Sequence, residues 1–147
     1  MCRWKWEWIR ETTGWTPTNL MHKAFEKTGE RSGITAWKHR KNGLEVLVLP
    51  DDSAPVAAFM VTYRVGSRNE TAGLTGATHF LEHLMFKGST RFNKDAGSSI
   101  FQTLQRVGAQ VNATTWNDRT NYYEVLPSDQ LDLAMQVESD RMRGALL

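Results

Sequence analysis

The stretch that decides the fold is "GATHFLEHLMFKG", Gly76 to Gly88. The chain of 147 residues has four histidines, and two of them, His79 and His83, stand four apart with Glu82 between them. From about Thr75 to Phe86 the segment predicts a helix, with apolar Phe80, Leu81 and Leu84 to bury its other side. Side chains four apart on a helix stand one above the other, so both imidazoles project from one face, and Glu82 borders it.

Upstream, the pattern changes to strands. "ITAWKHRKNGLEVLVLP" reads as strand, Asn42-Gly43 turn and strand, because Asn-Gly suits a tight hairpin with positive φ. "VAAFMVTYRVG" predicts a longer strand, placed centrally by its nearly continuous apolar content. Downstream, "SSIFQTLQRVG" predicts a helix whose Ile100, Leu104 and Val107 share a face, stopped at Gly108. "AQVNATTWNDRTNYYEVLP" reads as two strands around Asn117-Asp118. The final segment predicts a helix capped by Ser128, with Leu131, Met135 and Met142 on one side. The fold class expected is α+β, a mostly antiparallel sheet with helices packed on it. Its apolar finish "GALL" has no strand after it, which reads as a C-terminally truncated domain.

The domain is expected to start near Ile34, giving residues 35–147 as an incomplete domain behind an atypical, Trp-rich basic segment, 1–34. Four of the six tryptophans (Trp4, Trp6, Trp8, Trp15) lie there. Residues 1–41 carry nine Lys/Arg against four Asp/Glu, although the whole chain is only +2. Such a segment could lie at a membrane interface; the preferred reading is a tail on a neighbouring surface or a poorly ordered lead-in. No nucleic-acid motif accompanies the basic residues, so no nucleic-acid partner is expected. Cys2 alone makes no intrachain disulfide, and neither a signal-peptide core nor an apolar membrane span is encoded. The cytoplasm is the default expectation. His22 and His39 lack acidic or thiol partners at ligand spacing and read as surface histidines.

Two imidazole nitrogens on one helix face can share a Zn²⁺ at about 2.0–2.1 Å each. Glu82 is then placed to take a proton from water that the metal acidifies, the general-base role. The competing reading is two helix histidines that happen to neighbour a surface glutamate. The order H-x-x-E-H reverses the commoner H-E-x-x-H and is that of inverzincins.

From about Trp37 onward the chain resembles the N-terminal part of the insulinase (pitrilysin) family of zinc metallopeptidases, relatives of the mitochondrial processing peptidase. "NGLEVLVLPDDSAPVAAFMVTYRVGSRNE" looks like the family's opening hairpin and strand, "GATHFLEHLMFKGS" like its metal helix, and "VGAQVNATTWNDRTNYYEVLP" like its substrate-side hairpin. The resemblance implies that His79 and His83 bind zinc, that Glu82 is the catalytic base, and that Asn112 and Ala113 hold the substrate backbone. Thr78 stands where the family often has alanine. The family's third ligand is a glutamate farther along than the 64 residues that follow His83, so it is expected beyond Leu147. Glu124 and Glu138 are the substitutes within the chain; they read instead as a strand residue and a residue on a solvated helix face. The implied activity is peptide-bond hydrolysis, with peptide or protein as substrate. The 147-residue piece is expected to be inactive alone, its partners being the remainder of the domain and a second homologous domain. The alternative is a non-catalytic relative that binds or scaffolds.

Overall fold

The computed structural model describes residues 24–147. Cys2, His22 and the four early tryptophans lie outside the described residues. The described chain forms two compact units that divide between Ser53 and Ala54.

The first unit is an antiparallel three-stranded sheet in the order β1 (Phe25–Arg31), β2 (Ile34–His39), β3 (Glu45–Val48). Ser32 and Gly33 join β1 to β2 with φ of 52° and 82°, while Arg31 pairs with Ile34. Two successive positive φ values give the turn whose twist matches a right-twisted hairpin. The expected Asn42-Gly43 turn joins β2 to β3, with Gly43 at φ 73° and the Asn42 Oδ1 accepting the Leu44 N–H at 3.1 Å. β1 is a strand that the sequence reading did not anticipate, and it precedes the expected onset at Ile34. Its sequence FEKTGER shows no apolar alternation; it becomes a strand by pairing with β2. His39 is not a surface histidine. It is buried, with its ring edge-on to Phe25 at 4.9 Å.

The second unit carries β4 (Val56–Tyr63), α1 (Ala77–Leu84), α2 (Ile100–Gln105), β5 (Gln110–Thr115), β6 (Thr120–Pro127) and α3 (Leu131–Gly144). Its sheet runs β4-β6-β5, antiparallel throughout. The expected centrality of β4 is corrected here. β6 is the middle strand, paired from Thr120 to Pro127 with β4 and from Thr120 to Val125 with β5. β6 is accordingly buried along most of its length, while β4 alternates between exposed and half-buried positions. Among the described residues the outer edge of β5 pairs with no strand.

Helices α1 and α2 pack against β5, and α3 against β4 and β6. The core between α2, α3 and the sheet consists of Phe92, Ile100, Leu104, Ala109, Leu126, Ala134 and Val137. The Ser99 hydroxyl caps α2 by accepting the Gln102 N–H at 3.3 Å, and Gly108 leaves the helix at φ 80°. Ser128 does not cap α3. It opens a 3₁₀ turn, Ser128–Gln130, that leads into the helix. Nor is the Leu131–Met135–Met142 side the buried one. α3 buries Ala134, Val137, Glu138 and Arg141, the last two paired with each other and the Arg141 guanidinium lying over the Tyr122 ring of β6. After α3 the chain lies beside the Gly88–Thr90 loop, with the Leu146 N–H donating to Gly88 O at 3.0 Å. Leu146 and Leu147 stay exposed.

Candidate metal centre

The residue before α1 is Gly76, whose φ of 91° lets the chain turn sharply into the helix. Its first amides are not satisfied by a neighbouring Ser or Asp. Instead the Glu70 carboxylate, from the preceding loop, accepts the Gly76 N–H at 2.8 Å and the Thr78 N–H at 2.9 Å. These bonds hold the Glu70 pKa below the usual carboxylate value, since only the charged form accepts both. A carboxylate at a helix start also complements the helix dipole. The Glu70 loop is latched in turn to the β5–β6 turn: Ser67 N–H donates to Trp116 O at 3.0 Å and Arg68 N–H to Asn117 O at 2.7 Å. Gly66 is required there, because a side chain would have its Cβ 2.1 Å from Trp116 O.

On the helix so anchored, the His79 and His83 rings lie side by side, their centroids 4.8 Å apart and planes tilted by 42°. Both are exposed, whereas Glu82 is only 6% exposed. One ligand atom from each of the three residues lies within 4.8 Å of the other two, the one such grouping among the described residues. Glu82 Oε2 accepts the Thr115 hydroxyl proton at 2.7 Å, which ties α1 to the end of β5.

Of the three apolar residues expected to be buried on α1, only Leu84 is even half-buried. Phe80 is 64% and Leu81 40% exposed, and the residue the helix buries is the acidic one. Phe86, just after the helix, does the packing: it stacks on Phe101 at 4.8 Å and lies 5.7 Å from Tyr122.

Asn112 and Ala113 fall in the middle of β5, as the sequence places them. Asn112 shares the exposed face with Gln110 and Thr114, opposite the half-buried face of Val111, Ala113 and Thr115. Its side chain is therefore on the other face from the residue that touches Glu82, and its Oδ1 accepts the Ala113 N–H at 2.8 Å.

Glu124 and Glu138 do not join the histidine group. Glu124 sits on β6 as expected but is fully buried. Glu138 is not on a solvated face; it is buried and paired with Arg141. Burial and the adjacent Glu138 carboxyl push the Glu124 pKa up to about 9. Sequence reasoning missed both Thr115 and Glu70. A Glu six residues before a helix start has no fixed capping offset, and a strand-end threonine gives no local sign of a distant acceptor.

Residues 46–147 match the insulinase family (peptidase family M16), and the chain belongs to that family. It is 38% identical over 71% of its length to an uncharacterized zinc protease of Streptomyces coelicolor. It is 40% identical over 69% of its length to the zinc protease PqqE of Helicobacter pylori. It spans 22% of each of these relatives. The crystal structure of a protease from Helicobacter pylori superposes with a TM-score of 0.67 at 36% identity, over 73% of this chain and 25% of that one. The α+β fold expected from the sequence is thus the fold of this family. No helix among the described residues is long and apolar enough to cross a membrane.

Proposed function

We propose that this chain carries the metal helix and general base of a zinc-dependent metalloendopeptidase. The observation that carries the reading is the three-residue grouping on α1: two exposed imidazoles side by side, with a buried carboxylate within 4.8 Å. Two neutral imidazole donors suit zinc, and exposed rings leave their nitrogens reachable. His79 and His83 would hold the ion, and the names of both relatives, zinc proteases, support that choice of metal. Zinc supplies a Lewis acid that acidifies water and polarises a peptide carbonyl.

The chain's own part is proton handling and placement. The Glu82 carboxylate takes the proton of the attacking water and returns it to the leaving amine nitrogen. The open edge of β5, with Asn112 and Ala113 at its middle, offers backbone N–H and C=O groups to an extended peptide. Pairing of that kind is indifferent to side chains and accepts many sequences. Catalytic zinc needs three protein ligands. The third is supplied from outside residues 24–147, as a glutamate by the family resemblance. The relatives' greater length is in keeping with a larger domain and a second, homologous one around this site.

The test begins with zinc titration of the whole chain: binding that disappears in His79→Ala and in His83→Ala is expected. Once the glutamate ligand completes the set, Glu82→Gln is expected to keep the zinc and abolish peptide hydrolysis. Zinc binding indifferent to both histidines, or hydrolysis retained by Glu82→Gln, overturns the reading. Zinc bound by a completed site that hydrolyses nothing selects the non-catalytic alternative.

A further inference from the structure

Proximity alone does not make Glu82 a base. Its ligand-capable oxygen lies within 4.8 Å of the histidine nitrogens, and zinc also accepts Glu oxygen, at about 2.0–2.2 Å. A free carboxylate so close to both rings would simply become a ligand. What distinguishes Glu82 is where its Oε2 is tied. It accepts the Thr115 hydroxyl at 2.7 Å, the one hydrogen bond to its side chain among the described residues.

Thr115 is well placed to hold an acceptor still. Its backbone pairs with Thr120 in the β5–β6 ladder, and Trp116 N–H donates to Arg119 O at 2.8 Å to close the turn beyond it. Thr120 is buried, with its hydroxyl donating to Val65 O at 2.9 Å. A β-branched side chain is stiff at χ1, so the rigid hairpin fixes the hydroxyl's position. Glu82 is nearly out of water, which leaves little competition for that donor.

We propose that Thr115 is a positioning residue that keeps Glu82 out of the metal's coordination shell and so preserves it as the base. The proposal rests on the zinc reading above. It predicts an unusual sign: removing a polar contact strengthens metal binding. Without the hydroxyl, the carboxylate turns from β5 to the metal and adds a third ligand.

The experiment titrates zinc into the full chain as wild type, Thr115→Val, Thr115→Ser and Glu82→Gln. Thr115→Val/Glu82→Gln and His79→Ala serve as controls, and Co²⁺ absorption spectra report the ligand set. Thr115→Val, close in shape and favourable in a strand, is expected to tighten zinc by roughly tenfold, the low end of effects around metal sites. Its Co²⁺ spectrum is expected to shift. Thr115→Ser keeps the donor and is expected to match wild type, and the double variant is expected to lose the gain. Thermal unfolding checks each fold, and Thr115→Ala gives the same comparison if the valine variant does not fold. Wild-type affinity and spectrum in both hydroxyl-free variants overturn the proposal, as does a gain that survives Glu82→Gln. A wild-type chain that binds zinc no better than His79→Ala sinks the zinc reading itself, a different failure.

Discussion

The guanidinium carbon of Arg141 stands 3.9 Å from the centre of the Tyr122 ring, stacked on it as a cation on a π-face. The same guanidinium lies 5.0 Å from the centre of the Phe86 ring, pairs with Glu138 and is fully buried. It therefore joins α3, the middle strand and the segment that follows α1. Arg141→Met keeps the length of the side chain but leaves Glu138 buried without its cation. Breaking a buried pair in this way costs about 3–5 kcal/mol. Denaturant unfolding of the variant is expected to show a loss of that order. A loss below about 1 kcal/mol would mean that the pair contributes no more than a surface salt bridge does.

Glu124 gives the cluster a pH dependence. Its folded pKa is raised to about 9 by burial first and the Glu138 carboxyl second, against about 4.3 in an unfolded chain. Between those values the folded state keeps a proton that the unfolded chain releases, so stability falls as pH rises. The contribution is complete below the unfolded pKa and gone above pH 9. Glu124→Gln, neutral at every pH, is expected to flatten the decline and to raise stability most at pH 8–9. Urea midpoints from pH 5 to 9 check it. A parallel decline in both proteins would assign the pH dependence elsewhere.

Much of this unit was legible because its signals are local. The i, i+4 histidines placed α1, and the strand–turn–strand pattern around Asn117-Asp118 placed β5 and β6. What pairs over long distances was not legible. β6 is central because β4 reaches it across more than fifty residues, which apolar content in β4 does not reveal. Glu138 and Arg141 look like solvated charges until the Tyr122 ring and Glu124 of β6 are beside them. Spacing singles out Glu82, but the Thr115 hydroxyl that donates to it lies 33 positions away.

Glu70 makes α1 sensitive to acid. Its pKa is held down by the Thr78 and Gly76 amides, so the stabilisation is present above the unfolded carboxylate pKa and lost as pH falls through the lower folded one. Glu70→Ala is expected to speed hydrogen exchange at the Gly76 and Thr78 amides and to weaken zinc binding at neutral pH. Wild type is expected to approach the variant's exchange rates only in acid. Amides that stay as protected in Glu70→Ala as in wild type would remove Glu70 from the role of cap.

The 147-residue chain is itself expected to bind zinc at micromolar affinity or weaker and to cleave no peptide. In the proposed reading α1 would supply two of the three protein ligands that catalytic zinc needs, His79 and His83, and Glu82 accepts the Thr115 hydroxyl rather than being offered as the third. Glu124 and Glu138 are no substitutes, being buried and outside the histidine group. An ion held by two imidazoles would keep its other positions solvated, and no group would fix the orientation of the water that Glu82 would deprotonate. The apolar Phe80 and Leu81 on the same helix remain open to solvent, which favours association between chains. Adding the glutamate ligand is expected to tighten zinc sharply. The measurement is zinc titration and hydrolysis of an unstructured peptide by the purified chain, with His79→Ala as control and light scattering to follow association. Tight stoichiometric zinc with turnover that vanishes in the control would show that the chain completes its own site, with Glu82 or a second copy of the chain supplying the third ligand.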